Sequence, residues 1–156
     1  MWPSTTNGCT AAALSETATG KQNVYTLSFA DAVTSYSEAN VMMPSDWAGG
    51  TVTATFVWMA NDTTSHVVMW GCQGYAYGDG VTLDETWGTA QTVTDANAST
   101  ANQVRISAAT SAITIGGSPA ASELVLFRVE RVGGDGSDTL TAAALLLGVM
   151  IAYTRS

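Results

Sequence analysis

Charge is scarce in this chain. Only 12% of its 156 residues are Asp, Glu, Lys or Arg, about half the usual globular share. The five basic residues, Lys21, Arg105, Arg128, Arg131 and Arg155, are scattered, and thirteen acidic ones bring the formal charge to −8. Nucleic-acid binding needs a cationic stripe along one face, so that class is excluded. Histidine occurs once, at His66, and cysteine twice, at Cys9 and Cys72, with no C-x-x-C pair. Structural zinc therefore lacks a ligand set, and both thiols read as free. A Ser-His-Asp or Cys-His relay would have to use His66, and no G-x-S-x-G elbow accompanies it. The expectation is no enzyme, no metal and no cofactor.

A long membrane-spanning run is missing as well. The most apolar stretch, Leu140 to Tyr153, covers 14 residues, short of the ~20 that a helix needs to cross a bilayer. Gly148, Val149 and Ile151 make its second half a poor helix. It reads as a strand, with Leu145, Leu147, Val149, Ile151 and Tyr153 on the core face. Leu146, Gly148, Met150 and Ala152 then lie on an outer face that is still apolar, and a strand apolar on both faces is covered on both. The first residues, "MWPSTTNGCTAAALSETATGK", carry no basic segment and no apolar core, so they do not read as a secretory signal.

What the chain does contain suits β-structure. Hydrophobic residues make up 46%, with five Trp, five Tyr and three Phe to build a core, and Thr and Val favour a pleated surface. In "TVTATFVWM" (51–59), Val52, Ala54, Phe56 and Trp58 share one face and the threonines the other. Further strands are expected at 23–29, 38–43, 66–77, 89–94, 103–108, 112–115 and 123–132, punctuated by "PSDWAGG", "GDG", "GGSPA" and "GGDGSD". The short "ANDTTS" turn suggests that 51–59 and 66–77 form a hairpin. "GGDGSD" similarly suggests that "ELVLFRVERV" pairs with the tail, with Val125, Phe127 and Val129 inward and Arg128 and Glu130 outward. Residues 1–22 read as an extended N-terminal arm, docked through Trp2, ahead of one domain, 23–156. The fold expected is an all-β antiparallel sandwich, jelly-roll-like, of about 8 strands.

Leu124, Leu126, Leu146 and Met150, on apolar outer rows, and Trp2 are the candidate interface residues. Trp47 and Trp87 lie in loop-like sequence, and with Asp84 they could form a glycan platform, against the plainer reading of core or interface packing. The acidic loops, Asp79 with Asp84 and Glu85, and Asp135 with Asp138, read as solvated turns in which carboxylates cap the backbone. A weak cation site or a carboxylate pair for glycoside hydrolysis is the alternative.

"DWAGGTVTATFVWMAND", "VVMWGCQGYAYGDG" and "FRVERVGGDGSDTLTAAALLLGVMIAY" together resemble a group of small β-sandwich proteins encoded in the structural-gene clusters of tailed bacteriophages. The likeness runs from about Val41 to Tyr153. "TAAALLL" departs from that pattern, replacing a further Gly-Asp pair with apolar residues. The resemblance implies a virion component of head-decoration or cement type. It would act as a homotrimer that binds the major capsid protein or another virion protein on the outer capsid surface, after assembly in the bacterial cytoplasm. A head-fibre or tail-fibre module that binds host carbohydrate is the alternative.

Overall fold

A computed structural model describes residues 1–156 as an all-β sandwich without helices. Its strands are β1 (Trp2–Pro3), β2 (Thr10–Glu16), β3 (Asn23–Phe29), β4 (Thr34–Met42), β5 (Trp47–Ala60) and β6 (Val67–Tyr77). β7 (Gln91–Ala96), β8 (Arg105–Ile106), β9 (Ile113–Thr114), β10 (Leu124–Val132) and β11 (Ala144–Arg155) complete it. One antiparallel sheet has the order β1-β4-β10-β6-β7, the other β2-β3-β11-β5-β8, with β9 also on β5. Eleven strands rather than about eight arise partly because β1, β8 and β9 are two-residue pieces.

Most connections cross from one sheet to the other, as in a jelly roll, and this corrects two expected pairings. β5 and β6 do not form a hairpin: β5 pairs β11, β8 and β9, while β6 pairs β10 and β7. Nor does β10 pair β11, because β10 lies between β4 and β6 in the opposite sheet. The residues read as an arm join both sheets, β1 on β4 and β2 on β3. A run of exposed Thr, Ala and Ser is a weak strand signal, yet β2 is held by backbone pairing at a sheet edge.

The strand faces follow the alternation of side chains. Val52, Ala54, Phe56 and Trp58 of β5 and Val125, Phe127 and Val129 of β10 are all buried. Trp70 of β6 sits at the centre of the core and joins the sheets. It stacks on Phe56 at 5.5 Å and meets Phe29 and Trp58 edge-on at 5.2 and 6.1 Å, contacts of about 0.5–1.5 kcal/mol each beyond burial. The Trp58 indole N–H crosses the sandwich to donate to Asp95 of β7 at 2.8 Å.

The tail strand carries a β-bulge. Its register against β5 shifts between Leu146 and Gly148, so the extra residue, Leu147, reverses the inward parity. Val149, Ile151 and Tyr153 pack against the core as the alternation implies. Before the bulge the parity is opposite, and Ala144 and Leu146 point inward. Leu146, expected on the outer face, is therefore a core residue at 2% exposure.

Arg131, which shares the inward face of β10 with Val129, is fully buried. Its five N–H groups find five acceptors. Nε and Nη2 donate to the two carboxylate oxygens of Asp138 at 2.9 and 2.8 Å. Nη1 donates to the carbonyls of Phe29 and Ala142, and Nη2 also to that of Leu140. Asp138 accepts a third bond from the Met69 N–H. This clasp ties β10, the turn after it, β3 and the entry to β11 together. Removing one partner of a buried pair costs about 3–5 kcal/mol because the other charge is stranded. Arg131→Met should therefore lower unfolding free energy by about that amount in urea titration; a loss below about 1 kcal/mol would mean that the clasp contributes little.

Candidate interaction surfaces

On the outer face of the five-stranded sheet, β10 places Leu124, Leu126, Arg128 and Glu130 in one row. Register sets Leu124 between Met42 and Tyr77, and Leu126 between Asn40 and Tyr75. The β6–β7 loop, residues 78–90, brings Trp87 onto this face. The Arg128 guanidinium lies 4.4 Å from the Trp87 ring centre and 4.9 Å from that of Tyr36. It also donates from Nε and Nη2 to one Glu38 oxygen at 3.1 and 2.8 Å. A cation between two rings, tied to a carboxylate, is a rigid fastening for the loop, each ring contact being worth roughly 0.5–2 kcal/mol.

The same loop sets Glu85 beside Tyr75 and Tyr77, whose rings lie 5.0 Å apart. Desolvation, and then the nearby Glu85 charge, pushes the Tyr75 phenol above its ordinary pKa. Desolvation likewise raises that of Tyr77. Tyr77 points outward on its strand yet is only 8% exposed. Leu124 and Leu126 are half-buried in the same row. Part of this face is thus covered by the chain itself, while Met42 and Trp2 stay exposed on it.

The glycan platform is not assembled as expected. Trp47, at 2% exposure, belongs to the core: β5 begins at that residue and turns its indole inward, so "PSDWAGG" is a strand entry rather than a surface loop. Trp87 stacks on Arg128, and Asp84 is exposed in the loop. Trp2 is partly exposed on β1, opposite Glu38 in the ladder, so its strand docks on its own chain.

The titratable side chains form structural pairs. His66 Nδ1 meets Asp62 at 2.8 Å within the β5–β6 turn, and the Asp62 pKa is lowered first by the Thr64 N–H and then by His66. Asp135 accepts from the Ser137 N–H in a tight turn, while Asp138 is sealed against Arg131 rather than solvated. No three His, Cys, Asp or Glu side chains converge as metal ligands would. Cys9 and Cys72 are free and buried, with burial pushing their pKa values up to about 11 and about 12, far from thiolate reactivity.

The six-stranded sheet presents a different surface. Tyr25 is 70% exposed, and Leu14, its ladder partner on β2, is exposed too. Of the predicted interface residues, Met150 lies bare on the outer face of this sheet at 59%, while Trp2 is exposed on the other sheet at 44%. Tyr25 carries no sequence signal beyond sitting in a plausible strand, and Leu14 none beyond sitting in a stretch that reads as an arm, since their exposure depends on β3 leaving β11. β3 pairs β11 only at Phe29, Ser28 and Leu27. Where the strands part, a cleft of about 200 Å³ opens, lined by Met1, Tyr25, Leu27, Leu146 and Leu147 among others.

Compared with known proteins, the chain matches no family model, no curated protein and no solved structure.

Glu130 generates a pH prediction. Its side chain lies over Gly71, where an added Cβ would come within 2.6 Å of Oε1. Burial raises its pKa above the ordinary 4.5, against a smaller lowering from Arg128. A carboxyl whose folded pKa is raised gives stability that is complete below 4.5 and is lost as pH rises through the folded value. Glu130→Gln should therefore raise the melting temperature at neutral pH and leave it unchanged below pH 4.5. An equal shift at both pH values, or a loss at neutral pH, would refute this.

Proposed function

We propose that the chain is a non-enzymatic structural protein of a tailed-phage virion, of decoration or cement type, which bridges and stabilises neighbouring capsid subunits from the outer surface. One observation carries this reading: large apolar side chains stand bare on both sides of the opened six-stranded sheet. Leu14 and Tyr25 are paired on the core-side row of β2 and β3, with Met1 at the cleft, and Met150 lies on the outer face of β11. Large exposed apolar side chains that neighbour one another, as Leu14 and Tyr25 do in the ladder, mark a place where another molecule sits, and the charge-poor composition suits interface cores, which are depleted of charged residues. The virion assignment rests on the motif resemblance. The mechanism is mass action. A protein that binds the assembled lattice and not its dissociated subunits stabilises the lattice by the free energy of that binding. No covalent chemistry is required.

A second reading, carbohydrate binding by a fibre module, draws on Trp2, Tyr36 and Trp87 around the Arg128–Glu38 pair. Rings beside fixed polar groups are the elements of a sugar platform. Its test is glycan-array binding that disappears in Trp87→Ala; no binding to any host-surface glycan would end it.

The cement reading expects capsids assembled without this protein to lose DNA at a lower temperature and under milder osmotic shock, with purified chain restoring both. Unchanged capsid stability with and without the protein would refute it.

A further inference from the structure

Beyond the bulge, the tail strand is a ladder with one side empty. From Gly148 to Tyr153, β11 pairs β5 residue by residue, but no strand lies on its other edge, because β3 has left after Leu27. The direction of each backbone group follows from β5. Ala54 and Phe56 turn their N–H groups to the hydroxyls of Thr110 and Ser107, and their carbonyls to the same two residues, away from β11. In an antiparallel ladder successive residues bond to opposite sides, so Thr53, Thr55 and Val57 face β11. Their partners Ala152, Met150 and Gly148 then face β5. Val149, Ile151 and Tyr153 are left with N–H and C=O groups directed to the open edge.

These three residues are symmetric about Ile151. We infer that this edge pairs with the same edge of a second copy, antiparallel across a two-fold axis at Ile151. The inference rests on the reading that the chain works by assembly, and it names the first partner. Ile151 meets its own counterpart, and Val149 meets the second copy's Tyr153. Three N–H groups from each copy, those of Val149, Ile151 and Tyr153, each donate one bond, giving six across the axis. The two six-stranded sheets become one continuous sheet.

Three features select a second copy as the occupant. The pattern of donors and acceptors is self-complementary, as a two-fold contact requires. No charged side chain lies between Gly148 and Thr154, so two chains of −8 meet there without like charges opposed. The edge also lacks the lysines, prolines and inward charges that ordinarily keep an exposed strand from pairing. On its outer face Met150 would lie directly opposite the second copy's Ala152, covering a side chain that is bare in the monomer.

The test is the mass of the purified full chain by light scattering after size exclusion, over a dilution series. The wild type should have twice the chain mass and fall to one chain mass on dilution. Met150→Glu with Ala152→Glu, which sets like charges opposite each other, should be monomeric at every concentration with an unchanged circular dichroism spectrum. Mixing it with Met150→Lys/Ala152→Lys should restore the dimer. If the glutamate variant does not fold, Met150→Cys with Ala152→Cys, under mild oxidation, should give a disulfide-linked dimer instead. A monomeric wild type, a trimer, a dimer indifferent to the glutamates, or no cross-link from the cysteine variant would overturn the pairing. A monomer that still stabilises capsids would defeat this inference and leave the cement reading standing. A dimer that stabilises no capsid would do the reverse.

Discussion

The buried guanidinium of Arg131 is the constraint on which the arrangement of the two sheets depends. A cation taken out of water is tolerated only when its hydrogen-bonding capacity is filled, and here every donor is used: two on Asp138 and three on the carbonyls of Phe29, Leu140 and Ala142. Those acceptors come from different parts of the chain, so satisfying one side chain fixes several backbones at once. The turn after β10 is further laced to β6, where the Thr139 and Leu140 N–H groups meet the Val67 carbonyl. As a result β11 starts beside Phe29 in one sheet although β10 ended in the other. The Trp70 aromatic cluster includes the same Phe29, so polar clasp and apolar core share a boundary.

The clasp also explains where the sheet is open. β3 and β11 are held together at Phe29 and Ala144, and nothing comparable holds them after Leu146. The bulge at Leu147 bends β11 away, and β2 and β3 continue as a two-stranded projection. The two outer faces are consequently unlike. On the five-stranded sheet the 78–90 loop, fastened through Trp87 and Arg128, lies against Tyr75 and Tyr77. Leu124 and Leu126 are half-buried, while Met42 beside Leu124 stays exposed. On the six-stranded sheet Met150 is bare on the outer face, and Leu14 and Tyr25 are bare on the core-side row where β2 and β3 run past β11.

Much of the strand content was legible in the sequence. "NVYTLSF" maps onto β3 with the same ends, Pro44 closes β4 as read, and the inward rows of β5 and β10 follow from period-two alternation. Partner choice was not legible. A six-residue polar turn serves either a hairpin or a step across a sandwich about 10 Å thick, and alternation looks the same in both. Trp47 was misplaced because Gly49 and Gly50, at positive φ, read as a loop while they are accommodated within β5. The bulge reversed the face of Leu146, and only Gly148 beside it hinted at irregularity. Arg131 was within reach: it shares parity with Val129, so the alternation that turned Arg128 outward turned Arg131 inward. Its carboxylate partner, seven residues on in an acidic turn, could not be told from a solvated aspartate without the fold. The candidate surface was harder still, since the exposure of Tyr25 and Leu14 follows from the divergence of two strands far apart in sequence.

Residue-resolved hydrogen–deuterium exchange along β11 tests most directly the claim that this sheet is pinned at one end and open at the other. In dilute protein the Ala144 and Leu146 amides, and that of Phe29 opposite, should be protected. Further along, protection should alternate, with Gly148, Met150 and Ala152 slow and Val149, Ile151 and Tyr153 fast, and the fast set should slow as concentration rises. Uniform protection from Ala144 to Tyr153 at every concentration, or fast exchange at the clasped end, would contradict the account.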